Sequence, residues 1–496
     1  MGKGHSEESR MDTVKPQDAP VNIGAWTGTP GEATDRVVGI QTKLHRWAAA
    51  EPGRRFDDLF NLVTDPCFML TAWIRVRNNT GARSSGIDGR VASQIEGLSG
   101  GIARFLTDLR GQVRSGAFVP FPVRRVMIPK TGGKLRALGI PTVADRVVQA
   151  ALKLVLEPIF EAGFSSSSYG FRPGRRAHDA IEDIRMHAHN GYQRVFEGDI
   201  HACFDEISHT ALLGRVRDRI KDKRIVALVR AFLKAGVLAG DEFVRDTSAG
   251  TPQGGILSPV LANIALSVLD EHFDAKWDAL GGTASARWWH RKKGEATYRL
   301  VRYADDFVVL VHGTDAHLHA LPGEVEDVLA TVGLQLSLTK TLVTHIDQGF
   351  DFLGFRIQRH TQWGSDRRFV YSYPSQKAML SVKGKIKALT NTQITDRDPM
   401  LVILELNRVT RGWANYFRTG ASKRAFRDID HYLWWRAWRW LRAKHPTRNV
   451  QWIKRTYYTD DPWWPSSKGW LLDHPARIRI QRHAYRGNQI PTPWSD

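Results

Sequence analysis

The stretch TYRLVRYADDFVVLVHG, residues 297–313, places two apolar runs on either side of Tyr303-Ala304-Asp305-Asp306. β-branched and aromatic residues dominate both flanks, which predicts two strands joined by a short polar turn. Two adjacent carboxylates at such a turn repel each other and lose hydration. The pair becomes sensible when a divalent cation neutralises it. An exposed turn is the competing reading, because Asp is common in turns.

Working outward, Asp199 ends a second apolar strand within VFEGDIHACF, residues 195–204. A third carboxylate beside Asp305 and Asp306 completes a two-metal site for phosphoryl transfer. Two Mg²⁺ ions are expected, with Mn²⁺ as a substitute, because carboxylates and substrate phosphates suit a hard octahedral cation. Asp199 has a plainer reading too, as the cap of the following turn. Phe204 lies five residues on, where its ring either sits beneath an incoming sugar or fills core. The segment 250–255, GTPQGG, precedes a long helix whose first turn carries Ser258 and Pro259. Its glycines allow close backbone approach to a ligand, and no Gly-Lys-Ser/Thr follows to make a P-loop. Residues 121–141 read as a hairpin with Lys130, Lys134 and Arg136 around its turn. Those cations either close over a triphosphate or guard a solvated edge.

The remaining chain mixes helices and strands without a regular βαβ repeat, so the predicted class is α+β. The segment 143–163, VADRVVQAALKLVLEPIFEAG, reads as a helix ending near Pro158, and FDFLGFRI (350–357) is expected as a strand. Residues beyond about 375 read as helical, then loop-rich past Pro446. The helix around Phe426–Lys444 places Ile429, Leu433, Ala437, Trp440 and Leu441 on one face as core. Trp434, Trp435, Trp438, Arg439 and Arg442 fall on the other, as a stacking surface for RNA or as packing against a neighbouring domain.

The 496 residues carry 71 Lys+Arg against 51 Asp+Glu, a net +20, which favours a polyanionic partner. Residues 401–496 hold 18 Lys+Arg, 7 Asp+Glu and 10 of the 17 tryptophans, hence +11 of that charge. Cys67 and Cys203 are the only cysteines, so neither a disulfide framework nor a structural zinc is expected. No apolar run is long enough to span a membrane, and the polar MGKGHSEESRMD start is not that of a secretory signal. The expectation is a cytoplasmic, bacterial, nucleoid-associated protein without membrane partners.

In order, IPKTGGKLRALGIPTVADRVVQ, SSYGFRPGRRAHDAI, GDIHACFDEI, GTPQGGILSPVLANIAL, RYADDFVVL, LSLTKT and DFLGF resemble the blocks of bacterial group II intron reverse transcriptases. LNRVTRGWANYF and HPTRNVQWIKRTYY resemble the maturase (thumb) domain and the stretch after it, so the likeness spans roughly residues 36–485. It implies a right-hand polymerase: fingers and palm with an antiparallel sheet, plus an all-helical thumb. The implied division is a flexible tail (1–35), an N-terminal extension and start of fingers (36–117), fingers-palm (118–365), thumb/maturase (366–445) and a basic, Trp-rich nucleic-acid-binding segment (446–496).

The resemblance also implies roles. Asp199, Asp305 and Asp306 match the catalytic and metal-holding carboxylates, with the Ile200 carbonyl as an added ligand. Lys130, Arg136, Phe204, Gln253, Gly254 and Lys340 match nucleotide-binding positions, Phe204 as a steric gate and Lys340 as a proton donor to pyrophosphate. Arg172 and Arg175 fit template-facing places, and Trp438, Arg439 and Arg442 an RNA-binding face. The implied partners are RNA template, DNA primer, dNTPs, group II intron RNA and target DNA, in splicing and retrohoming. Many relatives end in an HNH nuclease with two cysteine pairs; with no cysteine after Cys203, this chain is expected to lack it. Two alternatives stand beside this: a domesticated enzyme of phage defence or CRISPR spacer acquisition, and a splicing factor that only binds RNA.

Overall fold

A computed structural model describes residues 29–99, 101–129, 135–239, 242–244, 249–251, 254–281, 283–337, 339–487 and 489–495. Helices α1 (Pro30–Ala50), α2 (Phe60–Val63), α3 (Pro66–Asn78), α4 (Ala92–Glu96) and α5 (Gly101–Ser115) precede strands β1 (Val123–Pro129) and β2 (Leu135–Ile140). Next come α6 (Val143–Glu161), α7 (Ala177–His189), β3 (Arg194–Asp199), α8 (Cys203–Glu206), α9 (His209–Arg219) and α10 (Lys223–Leu233). β4 (Val237–Ala239), β5 (Glu242–Val244), α11 (Ser258–Ala279), α12 (Ala284–Lys292), β6 (Thr297–Tyr303), β7 (Asp306–His312) and α13 (Asp315–Ala330) follow. The chain continues through β8 (Leu342–His345), β9 (Phe350–Phe352), β10 (Phe355–Thr361) and β11 (Arg368–Pro374). α14 (Gln376–Leu389), α15 (Pro399–Phe417), α16 (Lys423–Lys444), α17 (Val450–Tyr457), β12 (Ser466–Ser467) and β13 (Trp470–Leu471) complete it.

The central sheet has the order β6-β7-β3-β8, all antiparallel. Its apolar run is explained by burial on both faces. Phe307, Val309 and Val311 of β7 join Phe196 in a core shared with the helices α6, α9, α11 and α13. Val308 and Leu310 point the other way, into a second core with α7, β10 and Phe417 of α15. A third core lies in the thumb, where Val382, Ile386, Leu406, Leu433 and Trp440 interdigitate. β1 and β2 pair antiparallel, and β1 also runs parallel to β4.

Five expectations change. The expected tail gives way to helix at Pro30: Thr29 and Glu32 form a reciprocal capping box, and Pro30 stands at the first helical position. α6 does not end at Pro158 but runs to Glu161. Proline removes the donor for the carbonyl four residues back, and Gln41 of α1 supplies one instead, Nε2 to the Leu154 oxygen at 2.7 Å. FDFLGFRI is a tight hairpin and not one strand. Leu353 (φ 48°) and Gly354 (φ 82°) both take left-handed backbone, and β9 returns as β10. The 365/366 boundary falls in the turn between β10 and β11, where Gln362 N–H donates to the Arg367 oxygen at 2.7 Å. Past residue 446, Ile453, Tyr457, Trp464 and Leu472 pack into the thumb core, so α17 and the β12–β13 pair extend the thumb.

Candidate active site

β3 and β7 are register-locked so that Asp199, the last residue of β3, faces Asp306, the first of β7. Tyr303 of β6 faces Asp306 from the other side, leaving Ala304 and Asp305 as a two-residue turn. Three aspartates therefore sit at one end of the sheet. Two close approaches hold this end together. A Cβ on Gly198 would lie 2.2 Å from the Phe307 ring, and one on Gly170 would lie 2.2 Å from the Ala304 nitrogen. Only glycine fits at either place.

The turn itself is unusual, because Ala304 holds φ 58° and is buried. Arg302 accounts for it. Its fully buried guanidinium donates to the Ala304 carbonyl (3.0 Å), to Asp270 in two-pronged fashion (2.8 and 2.5 Å), to Asn263 Oδ1 (3.1 Å) and to Ser168 Oγ (2.8 Å). Asn263 in turn donates to the Gly170 oxygen at 2.9 Å.

Lys340 Nζ reaches Asp199 Oδ2 at 2.7 Å. Ser337 N–H donates to the Asp199 oxygen and His201 N–H to the Gln335 oxygen, which bridges Ile200 to Leu336. Those two bonds use the flanking residues and leave the Ile200 carbonyl out of the pairing. The Asp306 carboxyl is pushed up to about 6 by desolvation, then by the Asp305 and Asp199 charges. Asp306 still ranks as exposed by surface area, so like-charge repulsion is the firmer cause. Desolvation, joined by Asp351 and Asp306, lifts Glu197 to about 7. Burial and then Asp305 raise the Cys203 thiol. Such a crowd of carboxylates is the donor set a divalent cation relieves. Among the described residues, no group of three or more His, Cys, Asp or Glu side chains is already converged as a metal cage. The site resembles an open platform that substrate phosphates would close.

The other predicted residues divide. Lys130, Lys134 and Gln253 lie outside the described residues. Arg136 is exposed on β2, opposite Ile128. Gly254 (φ 113°) sits against β2, where a Cβ would be 2.6 Å from the Gly139 oxygen. Phe204 is buried, edge-on to Phe171 at 6.3 Å. Its backbone oxygen takes Thr251 N–H at 2.6 Å, tying the glycine loop to the Asp199 turn.

Arg172 does not face a template. It is buried in a two-pronged pair with Glu161 (2.8–3.0 Å) and donates to the oxygens of Ser165 and Ser168. Arg175 is half-buried over Tyr169 and donates to the Ser166 oxygen at 2.8 Å. Burial and then Arg172 lower it to about 10. Both arginines fasten the 165–169 segment that supports the Ala304 turn. Trp438 stacks on Trp434 and meets Tyr458 edge-on, whereas Arg439 and Arg442 are exposed. Arg302, Asp270, Asn263 and Gly170 were not singled out from the sequence. Their one signal is Arg302 itself, set between Val301 and Tyr303 in a strand that also carries Arg299.

A palm sheet with three carboxylates at one end and a helical thumb behind it defines a right-hand polymerase. Residues 128–357 match the family described as reverse transcriptase (RNA-dependent DNA polymerase), and residues 379–458 match the group II intron maturase-specific domain. The chain is 38% identical to Protein YkfC of Escherichia coli K12, over 68% of this chain and 93% of that one. It is 32% identical to group II intron-encoded protein LtrA of Lactococcus lactis subsp. cremoris, over 61% of this chain and 57% of that one. A 91 kDa protein in the cob intron of Schizosaccharomyces pombe is 32% identical over 60% of this chain and 41% of its own length. The chain thus spans about half the length of the two intron-encoded relatives. It belongs to the group II intron reverse transcriptase/maturase family, and is an RNA-directed DNA polymerase with a maturase domain. A reverse transcriptase domain implies divalent-metal-dependent catalysis in general. No helix among the described residues is long and apolar enough to cross a membrane.

Proposed function

We propose that the chain copies RNA into DNA by two-metal nucleotidyl transfer at Asp199, Asp305 and Asp306. We propose further that its thumb and C-terminal segment bind group II intron RNA for splicing and retrohoming into target DNA. The observation that carries the first part is the Asp199–Asp306 register with Asp305 in the adjoining turn. Those three carboxylates, with the Ile200 carbonyl, would hold two Mg²⁺ ions. Bound there, the ions supply Lewis-acid stabilisation of the attacking and leaving oxygens of an in-line displacement. Asp199 and Asp305 orient the 3′-hydroxyl of the DNA primer toward the dNTP. Lys340, beside Asp199, gives a proton to the departing pyrophosphate. Arg136 and Lys130 neutralise the triphosphate, Gln253 and Gly254 lie beside the new base pair, and Phe204 excludes a ribose 2′-hydroxyl. Arg439 and Arg442 contact intron phosphates.

Asp305→Ala should abolish primer extension on an RNA template while leaving RNA binding intact; undiminished extension rejects the site. Phe204→Ala should increase ribonucleotide incorporation, and an unchanged sugar preference removes the gate. Adding the protein to a group II intron precursor at low Mg²⁺ should stimulate splicing, and no stimulation rejects the maturase role.

A further inference from the structure

Trp288 and Trp289 stand side by side on α12, 52% and 56% exposed, with their rings 5.0 Å apart. Indoles bury roughly 150–250 Å² each when they pack, so two left in water need an explanation. The attachment of α12 does not use them. Arg287 lies over the Trp277 ring of α11 at 4.6 Å. Arg291, one turn later, donates to the Tyr192 hydroxyl at 2.8 Å and to Thr297 Oγ1 at 3.2 Å. These two positions share a face and fix the helix to the palm. The other face presents Trp288, Trp289, Lys292 and Lys293, all exposed, with Lys292 Nζ 4.7 Å from one indole and 5.4 Å from the other. Residues 284–293 contain Arg287, Arg291, Lys292 and Lys293 and no acid, a local +4. Cations also suit a helix C-terminus, which accounts for the lysines but not for the tryptophans.

The location separates this face from the polymerase site. α12 leads into β6 at Thr297, and the catalytic turn follows Tyr303 at the far end of the strand. Seven residues at strand rise put roughly 20 Å between them. A template strand at Asp305 does not stack on Trp288.

We propose that this face of α12 binds unpaired RNA, bases stacking on Trp288 and Trp289 and phosphates meeting Lys292 and Lys293. Paired bases hide their faces, so only an unpaired segment offers rings to stack. RNA rather than DNA follows from the family's maturase domain, and to that extent the inference rests on the proposed maturase function.

The test uses the full chain with its cleft filled by an RNA template–DNA primer hybrid. The probe is a fluorescent 20-nucleotide oligouridine bearing 4-thiouridine. Crosslinks should map to the peptide holding Trp288–Lys293, and the Trp288→Ala/Trp289→Ala variant should bind the probe at least about tenfold more weakly. Its melting temperature and its primer extension on a short template should stay unchanged, because both side chains lie outside the core and far from Asp305. Unchanged probe affinity, or crosslinks only elsewhere, overturns the proposal. So does an altered oligomeric state with RNA binding intact, which would make the face a protein interface. Equal weakening for the matching oligodeoxyuridine overturns the choice of RNA. The splicing assay reads the maturase function separately, so the two failures are distinguishable.

Discussion

Arg302 is 0% exposed, and the Ala304–Asp305 turn hangs on it. A lysine at this position keeps the charge but not the fork that reaches Asp270, Asn263, Ser168 and Ala304 together. Without the bond to its carbonyl, Ala304 loses its tie in the left-handed region, and Asp305 drifts from the Asp199–Asp306 pair. Misplacement by about 1 Å costs on the order of 100-fold in rate. Arg302→Lys should therefore lower kcat by roughly 10–100-fold while the dNTP KM changes little, assayed well below the melting temperature. A proportional rise in KM, or an unchanged kcat, contradicts the positioning role. The carboxylates stand out in the sequence because each sits at the end of an apolar strand, although Asp also serves turns and caps there. Arg302 does not, because its partners lie at positions 168, 263 and 270 and only folding assembles them. Arg172 shows the converse error. The family resemblance implies a template-facing place for it, yet this arginine is consumed by Glu161.

At the scale of elements, the two-faced apolar run of β7 was readable, since a strand buried on both sides must be apolar throughout. The extent of α6 was not, because the group that rescues the Leu154 carbonyl sits 113 residues away in α1. The hairpin at Leu353–Gly354 was hidden because leucine rarely takes positive φ. α16 sorts its faces as periodicity demands, with Ile429, Leu433, Ala437, Trp440 and Leu441 buried. Its polar face divides further than the sequence indicates. Trp438 is engaged by Trp434 and Tyr458, while Arg439 and Arg442 are open. Trp438→Ala should thus lower thumb stability by about 2–3 kcal/mol, less than the ~3–5 kcal/mol of a fully buried aromatic. Arg439→Gln with Arg442→Gln should leave stability within about 0.5 kcal/mol and weaken RNA binding with a shallower salt dependence. Thermal melts and filter binding across a salt series separate the two. A destabilised arginine variant, or a Trp438→Ala that only loses RNA affinity, reverses the assignment.

At the scale of the whole molecule, the chain stays on the thumb as far as Ile478, whose oxygen takes Lys423 Nζ at 3.0 Å, and then crosses back over the palm. Gln481 N–H donates to the Arg418 oxygen at the end of α15. His483 and Arg486 then converge on Asp179 of α7, at 2.7 Å and at 2.6–2.8 Å. Trp494 finally reaches α1, its Nε1 3.3 Å from Gln41 Oε1. One strap thus ties thumb, palm and the first helix, and part of the C-terminal positive charge serves this tie and not nucleic acid. Burial alone would raise the Asp179 carboxyl. The hydrogen bonds from Arg486 and His483 and from the Arg176 N–H outweigh it and hold the group below its ordinary value. A depressed carboxyl stabilises the fold above its unfolded value near about 4, and that contribution fades as pH falls through the folded value. Arg486→Gln leaves a buried carboxylate short of its main partner. The expected cost is about 2 kcal/mol at pH 7, below the ~3–5 kcal/mol of a fully buried pair because Arg486 keeps part of its surface in water. Urea unfolding of both proteins should show that difference undiminished from pH 7 to about 5 and shrinking below about 4. Hydrogen exchange should report faster opening of residues 478–494 in the variant. Equal midpoints at pH 7, or a difference that persists in acid, would remove the Asp179 pair as the clasp of the strap.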